Sequence, residues 1–341
     1  MPEPPLLESP LPIVAAPMAG GASTVALAAA VTRAGGFAFM PAGYKSVEAL
    51  AEDLAALRGL GAPYGINLFV PGPNDIGDAD FRAYAAELGP EADAYGLTLG
   101  TGPRQDDDEW SAKLALLLAE PVPVVSFTFG LPDAAVTAAF RRVGTRVLAS
   151  VTTVDEARAA EAAGVDGLVV QGPAAGGHSA THDPRRRIAS IATGALVAQV
   201  VAATGLPVSA AGGVDGPAAV RELVAAGAES VAIGTLLLRT DESGASRVHK
   251  DALADPTFTE TVMTHAFTGR PARALRNGFI DRHDATAPYG YPALHHLTRE
   301  LRQAAGRAGD ADRLHLWAGT GFRNAPIGSA ADVVDHLAQA L

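Results

Sequence analysis

The sequence predicts an α/β protein closed as a (β/α)8 barrel, and three observations predict it. Eight short runs rich in Val, Ile and Phe, each bounded by Gly or Pro, recur along the 341 residues. Ala-rich stretches of helical period separate them, which is the pattern of repeated βα units around a parallel sheet. Part of the pattern also repeats at a fixed interval. Arg158, Ala163, Gly164, Asp166 and Val170 return as Arg221, Ala226, Gly227, Glu229 and Ile233, each 63 residues later, a span that two βα units fill.

The strands are expected at IVAAPM (13–18), FAFMPA (37–42), YGINLF (64–69), VVSFTF (124–129), RVLASV (146–151), GLVVQG (167–172), PVSAAG (207–212) and SVAIGT (230–235). In both copies of the repeat an Ala-rich helix ends at a Gly, Gly164 or Gly227, which suits the left-handed cap before the next strand; AGG at 34–36 punctuates strand two likewise. Residues 70–121 exceed the minimal unit. Their Pro/Gly turns (PGPNDIGD, LGP) and helical stretches (DADFRAYAAEL, DEWSAKLALLLA) read as an insertion after strand three. Residues 1–239, with that insertion, are therefore expected to form a TIM barrel, and 240–341 a mostly helical extension packed on it. Active sites of this fold lie at the C-terminal strand ends, where both segments are placed to cover the mouth.

Composition excludes several function classes. A net charge of −11 and the lack of a Lys/Arg stripe interleaved with aromatics argue against nucleic acid. Arg185–Arg187, the one dense basic run, reads as a solvated loop face. With no cysteine, disulfides, thiolate metal sites and cysteine nucleophiles are excluded. The N-terminal stretch has no Lys or Arg before Arg33 and no window approaches a membrane span, so a cytoplasmic protein is expected.

Strands seven and eight end in AAGG (210–213) and AIGT (232–235), where this fold keeps phosphate sites; glycines there expose backbone N–H groups, and a helix start adds its positive dipole end. Pro217 suits a first helical position, and Thr240 or Ser243 a start for an extra helix. Gly212, Gly213, Gly234 and Thr235 are thus candidates for a phosphorylated ligand. Asn67 and Gln171, near the ends of strands three and six, offer amides suited to the mixed edge of a flavin. Met18 fits either a flat ring or core packing. The densest candidate is QGPAAGGHSATHD (171–183), in which Gly176 and Gly177 let backbone approach a ligand and His178 projects from the loop after strand six. His178 and His182 have metal-pair spacing, but that spacing pairs ligands only on a helix, and GG and DP make this a loop. No metal site is expected. His295 and His296 read as surface or packing residues.

These stretches, IVAAPMAGG, GGFAFMPAG, YGINLF, QGPAAGGH, SAAGGV and AIGT, with HAFTGRPARALRNGF (265–279), YPALHHLTRELR and LHLWAG, resemble the nitronate monooxygenase family over nearly the whole chain. The resemblance implies FMN, contacted by Pro17, Met18, Asn67, Gln171, Gly176, Gly212, Gly213, Gly234 and Thr235. It implies His178 as the catalytic residue, binding an alkyl nitronate such as propionate 3-nitronate and removing the α-proton of a neutral nitroalkane. The reaction implied is oxidation by O2 to a carbonyl compound and nitrite without a nicotinamide, a flavoprotein oxidoreductase activity of nitroalkane detoxification. Members of that family commonly follow GGH with Arg-Gly and the late WAG with Gln, whereas this chain has Ser179-Ala180 and Thr320. Those departures bear on substrate preference. The rival readings are an FMN-dependent enoyl-thioester (enoyl-ACP) reductase using NAD(P)H, whose related barrel also carries Gly-Gly-His, and a non-catalytic flavin-binding protein.

Overall fold

A computed structural model describes residues 5–72, 76–339 and 341. Residues 73–75, within the expected PGPNDIGD turn, and 1–4 of the N-terminal stretch lie outside the described residues. The strands are β1 (Ile13–Ala15), β2 (Phe37–Pro41), β3 (Tyr64–Phe69), β4 (Val124–Thr128), β5 (Arg146–Val151), β6 (Gly167–Gln171), β7 (Gly177–His178), β8 (Val208–Ala211), β9 (Ser230–Ile233), β10 (Thr261–Thr264) and β11 (Ala272–Leu275). The helices are α1 (Val25–Arg33), α2 (Val47–Arg58), α3 (Asp78–Glu87), α4 (Gly89–Asp93), α5 (Trp110–Ala119), α6 (Ala134–Arg142), α7 (Val154–Ala162), α8 (Thr193–Ala203), α9 (Pro217–Ala225), α10 (Arg247–Ala252), α11 (Gly278–His283), α12 (Ala293–Ala308) and α13 (Ala330–Ala338).

Eight of the strands close a parallel barrel in the order β1-β2-β3-β4-β5-β6-β8-β9, with Val14 in register with both Phe37 and Ala232 at the seam. These are the eight runs read from the sequence. Some end earlier than expected: β1 stops at Ala15 because Pro17 has no N–H to give a ladder and the Met18 N–H turns to Ser23 Oγ, 2.9 Å away. Gly35, Gly164 and Gly227 take φ of +88°, +78° and +104°, the left-handed turns that let each helix reverse into a strand.

Inside the barrel, bulk and its absence are matched across strands. A Cβ on Gly65 would sit 2.2 Å from the Phe39 ring, and one on Gly167 would sit 2.4 Å from Leu6. The interior below the mouth is thus filled by Phe37, Phe39, Val124 and Leu148, with Leu6 and Leu7 closing the far end. Between strands and helices runs the main core, built of apolar residues, chiefly Leu, Val, Ala and Ile, from the strands and the outer helices of the barrel.

Two features depart from a simple reading of 240–341 as a helical extension. The segment contains an antiparallel hairpin, β10–β11, which adds β7 as a third strand through Ala272–His178 and Arg273–Gly177 pairs. Its last helix, α13, returns to the barrel, packing on α1, α9 and β1 and burying Val333, Val334 and Leu337 in the main core. Between them, residues 266–301 share a second core with α3 and α4: Phe81, Tyr84 and Leu88 pack with Phe267, Phe279, Leu294 and Leu301. α5, by contrast, belongs to the barrel, with Leu117 in the main core and contacts to α2.

Candidate functional site

Side chains along a strand alternate between faces. The parity that sends Val124 and Leu148 inward continues toward the C-terminal strand ends, where the inward positions become Asn67, Ser126, Thr128 and Ser150. Above these polar residues opens a cavity of 890 Å³. Every site residue expected from the sequence lines it: Pro17, Met18, Asn67, Gln171, Gly176, His178, Gly212, Gly213, Gly234 and Thr235.

At one end of the cavity the β8 and β9 turns form a cradle. Gly212 and Gly213 have φ of +103° and +81°, and a Cβ on Gly212 would lie 2.8 Å from Ala175. Among the described residues, the backbone N–H groups of Gly213, Gly234 and Thr235 have no acceptor in the protein. These half-buried donors face the cavity at a strand end and a helix start, a setting suited to a ligand bearing acceptor oxygens. The late WAG segment seals the cradle: the Gly319 N–H donates to Thr235 Oγ1 at 2.9 Å, and the Thr320 N–H to the Ala174 carbonyl at 3.1 Å. Gly176 is required there, since its Cβ would stand 2.5 Å from the Gly319 nitrogen. Helix α9 begins at Pro217 as expected. The extra helix α10 is capped by Ser246 rather than Thr240 or Ser243, whose hydroxyls serve the turn before it.

At the mouth, the Met18 sulfur lies 3.5 Å from where a Gly234 Cβ would be, in van der Waals contact with the β9 turn. The Asn67 amide donates to Ser126 Oγ (3.0 Å) and Thr128 Oγ1 (2.9 Å), fixing its plane at the mouth. Gln171 works largely through its neighbours. Its Oε1 accepts from the Ala180 N–H at 2.7 Å and its Nε2 donates to the His178 carbonyl at 3.1 Å, so the amide clamps the loop that carries the histidine.

His178 sits in β7, and β11 holds its backbone from the far side. Its Nε2 is 2.9 Å from Thr268 Oγ1, which is 3.3 Å from the Arg270 carbonyl. A carbonyl only accepts, so the single Thr268 hydroxyl hydrogen goes to it and His178 Nε2–H donates to Thr268. Nδ1 is left as the lone-pair nitrogen. The rings of Phe129, Tyr291 and Trp317 surround the imidazole at centroid distances of 5.7, 5.8 and 5.3 Å. Burial pushes its pKa down to about 3, and the positive charges of Arg270 and Arg302 add to the shift. The imidazole is neutral across the physiological range.

The structure brings in groups that the sequence reading passed over. His295, expected to be an ordinary surface or packing residue, is buried against the cavity, stacked on Tyr44 at 4.1 Å. Tyr291 donates to the Tyr44 hydroxyl at 3.2 Å, and burial pushes the Tyr44 phenol up to about 12, keeping it a neutral donor. Arg302 is buried on the apolar face of α12, donating to the His295 carbonyl and Thr298 Oγ1. A charged residue on the stripe Leu294, Thr298, Leu301 and Ala305 was the available signal. His182 is turned away from His178, its Nε2 bonded to the Ser150 carbonyl at 3.1 Å. Arg186, read as part of a solvated run, instead pairs with buried Glu156.

A family model for nitronate monooxygenase matches residues 6–340. The chain belongs to the nitronate monooxygenase family. A probable nitronate monooxygenase of Staphylococcus aureus is 32% identical over 337 residues, covering 97% of this chain and 94% of the relative. Among solved structures, the nitroalkane oxidase of Streptomyces ansochromogenes superposes with a TM-score of 0.92 at 48% identity, over 98% of this chain and 96% of that one. FabK of Thermotoga maritima superposes less closely, with a TM-score of 0.72 at 25% identity over 98% and 94%. As a nitronate monooxygenase family member the protein is a flavin-dependent oxidoreductase, and the cradle of unpaired N–H groups fits the phosphate end of such a cofactor. Among the described residues no helix is long and apolar enough to cross a membrane.

Proposed function

We propose that the chain binds FMN and oxidises alkyl nitronates with O2 to carbonyl compounds and nitrite, without a nicotinamide. The observation that carries this reading is a neutral imidazole, His178, with its lone pair free at the wall of a cavity whose other end offers unpaired backbone donors. Gly212, Gly213, Gly234 and Thr235 would hold the phosphate, and Pro17, Met18, Asn67, Gln171 and Gly176 would line the ring. FMN, when bound, supplies the redox chemistry between substrate and O2.

The chain's own residues bind, orient and move the proton. His178 Nδ1 accepts the α-proton where a neutral nitroalkane is offered, while Thr268 holds the ring in the required tautomer. Aromatic walls from Phe129, Tyr291 and Trp317 exclude water, which strengthens the pull of Arg270 and Arg302 on an anionic substrate. In this reading residues 1–239 are the FMN barrel and the chain beyond is a cap over its mouth, with α13 returned to the barrel ring.

The test is nitrite release from propionate 3-nitronate by the yellow protein, with and without NADH or NADPH. Rapid anaerobic bleaching of the flavin by a nicotinamide, with no response to the nitronate, would overturn the proposal in favour of a reductase. With a neutral nitroalkane as substrate, His178→Asn is expected to lower turnover by about 100-fold or more while FMN is retained. Equal turnover in the two proteins would remove His178 from the chemistry.

A further inference from the structure

A second cavity of 680 Å³ adjoins the first, and Tyr44, Phe69, Phe129 and His295 form the wall they share. Backbone strain is concentrated around it. Among the described residues the non-glycine positions with positive φ are Tyr44 (67°), Asp108 (57°), Glu109 (54°) and Phe129 (79°), and all four line this second cavity. Such conformations are costly and gather where a site must be shaped against local preference.

The cavity also holds an uncompensated cation. Arg270 is 5% exposed, lines the cavity, and lies with its guanidinium carbon 4.0 Å from the centre of the Phe129 ring. Its Nη2 donates to the Thr181 carbonyl, and its Nε has no acceptor among the described residues. It makes no ion pair with a carboxylate there. Glu156 and Asp183 are the acids whose charge it feels, and Glu156 already takes Arg186 and the His182 N–H. The other buried cation beside His178, Arg302, differs in having Thr298, His295 and His315 as acceptors for its nitrogens. A buried guanidinium with spare donors is matched by a planar anion that presents two oxygens to its fork.

We propose that the second cavity is a binding compartment for a small organic anion of the planar XO2 type, a carboxylate or nitronate, anchored on Arg270 and separated from His178 by the Phe129–Tyr291 wall. Tyr44, whose hydroxyl accepts from Tyr291, keeps its own neutral phenol hydrogen to donate at that wall, so an anion on Arg270 is one aromatic layer from the imidazole. The compartment selects anionic substrates before they reach the flavin cavity. That last role rests on the function proposed above; the anion site itself does not.

The test is calorimetric titration of the purified holoprotein with propionate, which it has no means to oxidise. Binding of propionate, weakened at least tenfold by Arg270→Gln and less by Arg270→Lys, is expected, because lysine keeps the charge and loses the fork. Tyr44→Phe should weaken binding by a few-fold. Propionate should also raise the KM for nitronate and leave kcat unchanged. Absence of propionate binding in the wild type, or equal affinity in wild type and Arg270→Gln, overturns the proposal. Should Arg270→Gln fail to fold, undiminished binding in Arg270→Lys decides against it equally. Arg270-dependent propionate binding in a protein that releases no nitrite would leave this site standing and remove the proposed reaction. Nitrite release with Arg270-independent binding would do the reverse.

Discussion

The proton on His178 is placed by a single hydroxyl. Because Thr268 gives its hydrogen to the Arg270 carbonyl, it accepts from Nε2, and the opposite nitrogen becomes the base. Thr268→Val preserves shape and removes the acceptor. The orphaned Nε2–H costs about 1–3 kcal/mol of site organisation. Turnover is expected to fall about tenfold and melting temperature by a few degrees, with flavin content nearly unchanged, measured by nitrite release and thermal unfolding. The depressed pKa has its own signature. With His178 at about 3, kcat/KM on preformed nitronates should stay flat from pH 8 to 5 rather than fall near 6.5. An acid limb near 6.5 that disappears in His178→Asn would contradict the assignment.

At the scale of elements, the loop after β7 is held from α7. Buried Glu156 accepts from the Thr152 N–H and hydroxyl, the Thr181 hydroxyl, the His182 N–H and Arg186. Removing its charge weakens the bonds to Thr152, Thr181 and His182 and leaves the partly exposed Arg186 unpaired, a change of about 1–3 kcal/mol. Glu156→Gln is therefore expected to lower the melting temperature by several degrees and to weaken activity through the His178 loop; an unchanged melting curve would show the network to be dispensable. The barrel strands were legible because each is buried on both faces and bounded by Gly or Pro, so composition and punctuation agree. The candidate residues at their ends followed from the fold, since inward parity there gives Asn67 and Gln171 directly. β7 was not legible, because two residues carry no period and its partners, Ala272 for His178 and Arg273 for Gly177, lie 94 and 96 residues away. His295, Arg270 and Arg302 were hidden for a similar reason. Their role depends on the second core, whose two halves, α3–α4 and 266–301, meet only in three dimensions.

For the whole molecule, buried histidines set the response to acid. Burial holds His178 at about 3 and His249 at about 4, and keeps His295 and His315 well below the ordinary 6.5. Below pH 6.5 the unfolded chain takes up protons that the folded chain refuses, so stability falls as pH drops toward those lower values. Glu91 extends the loss further down. Burial raises its pKa, but bonds from His283, Arg282 and Arg313 outweigh this and hold it at about 2, so its contribution disappears as pH falls from 4.5 toward 2. Melting temperature should decline steadily from pH 7 to 4, and His249→Gln, which keeps a donor for the Trp317 carbonyl, should flatten the slope. A melting temperature independent of pH over that range would refute the account.

The position of α13 governs the order in which the molecule can be assembled. Its eighth strand, β9, ends at Ile233, yet the helix that completes the outer ring begins at Ala330. On the ribosome, at about 5–20 residues per second, all eight strands are therefore out for roughly 5–20 s before that helix emerges. During this interval the faces of α1, α9 and β1 that α13 will cover stand open, while the segment that forms the cap is being made. The nascent chain thus builds its active-site roof before its barrel wall, and the exposed seam beside β1 is where a chaperone would have to wait.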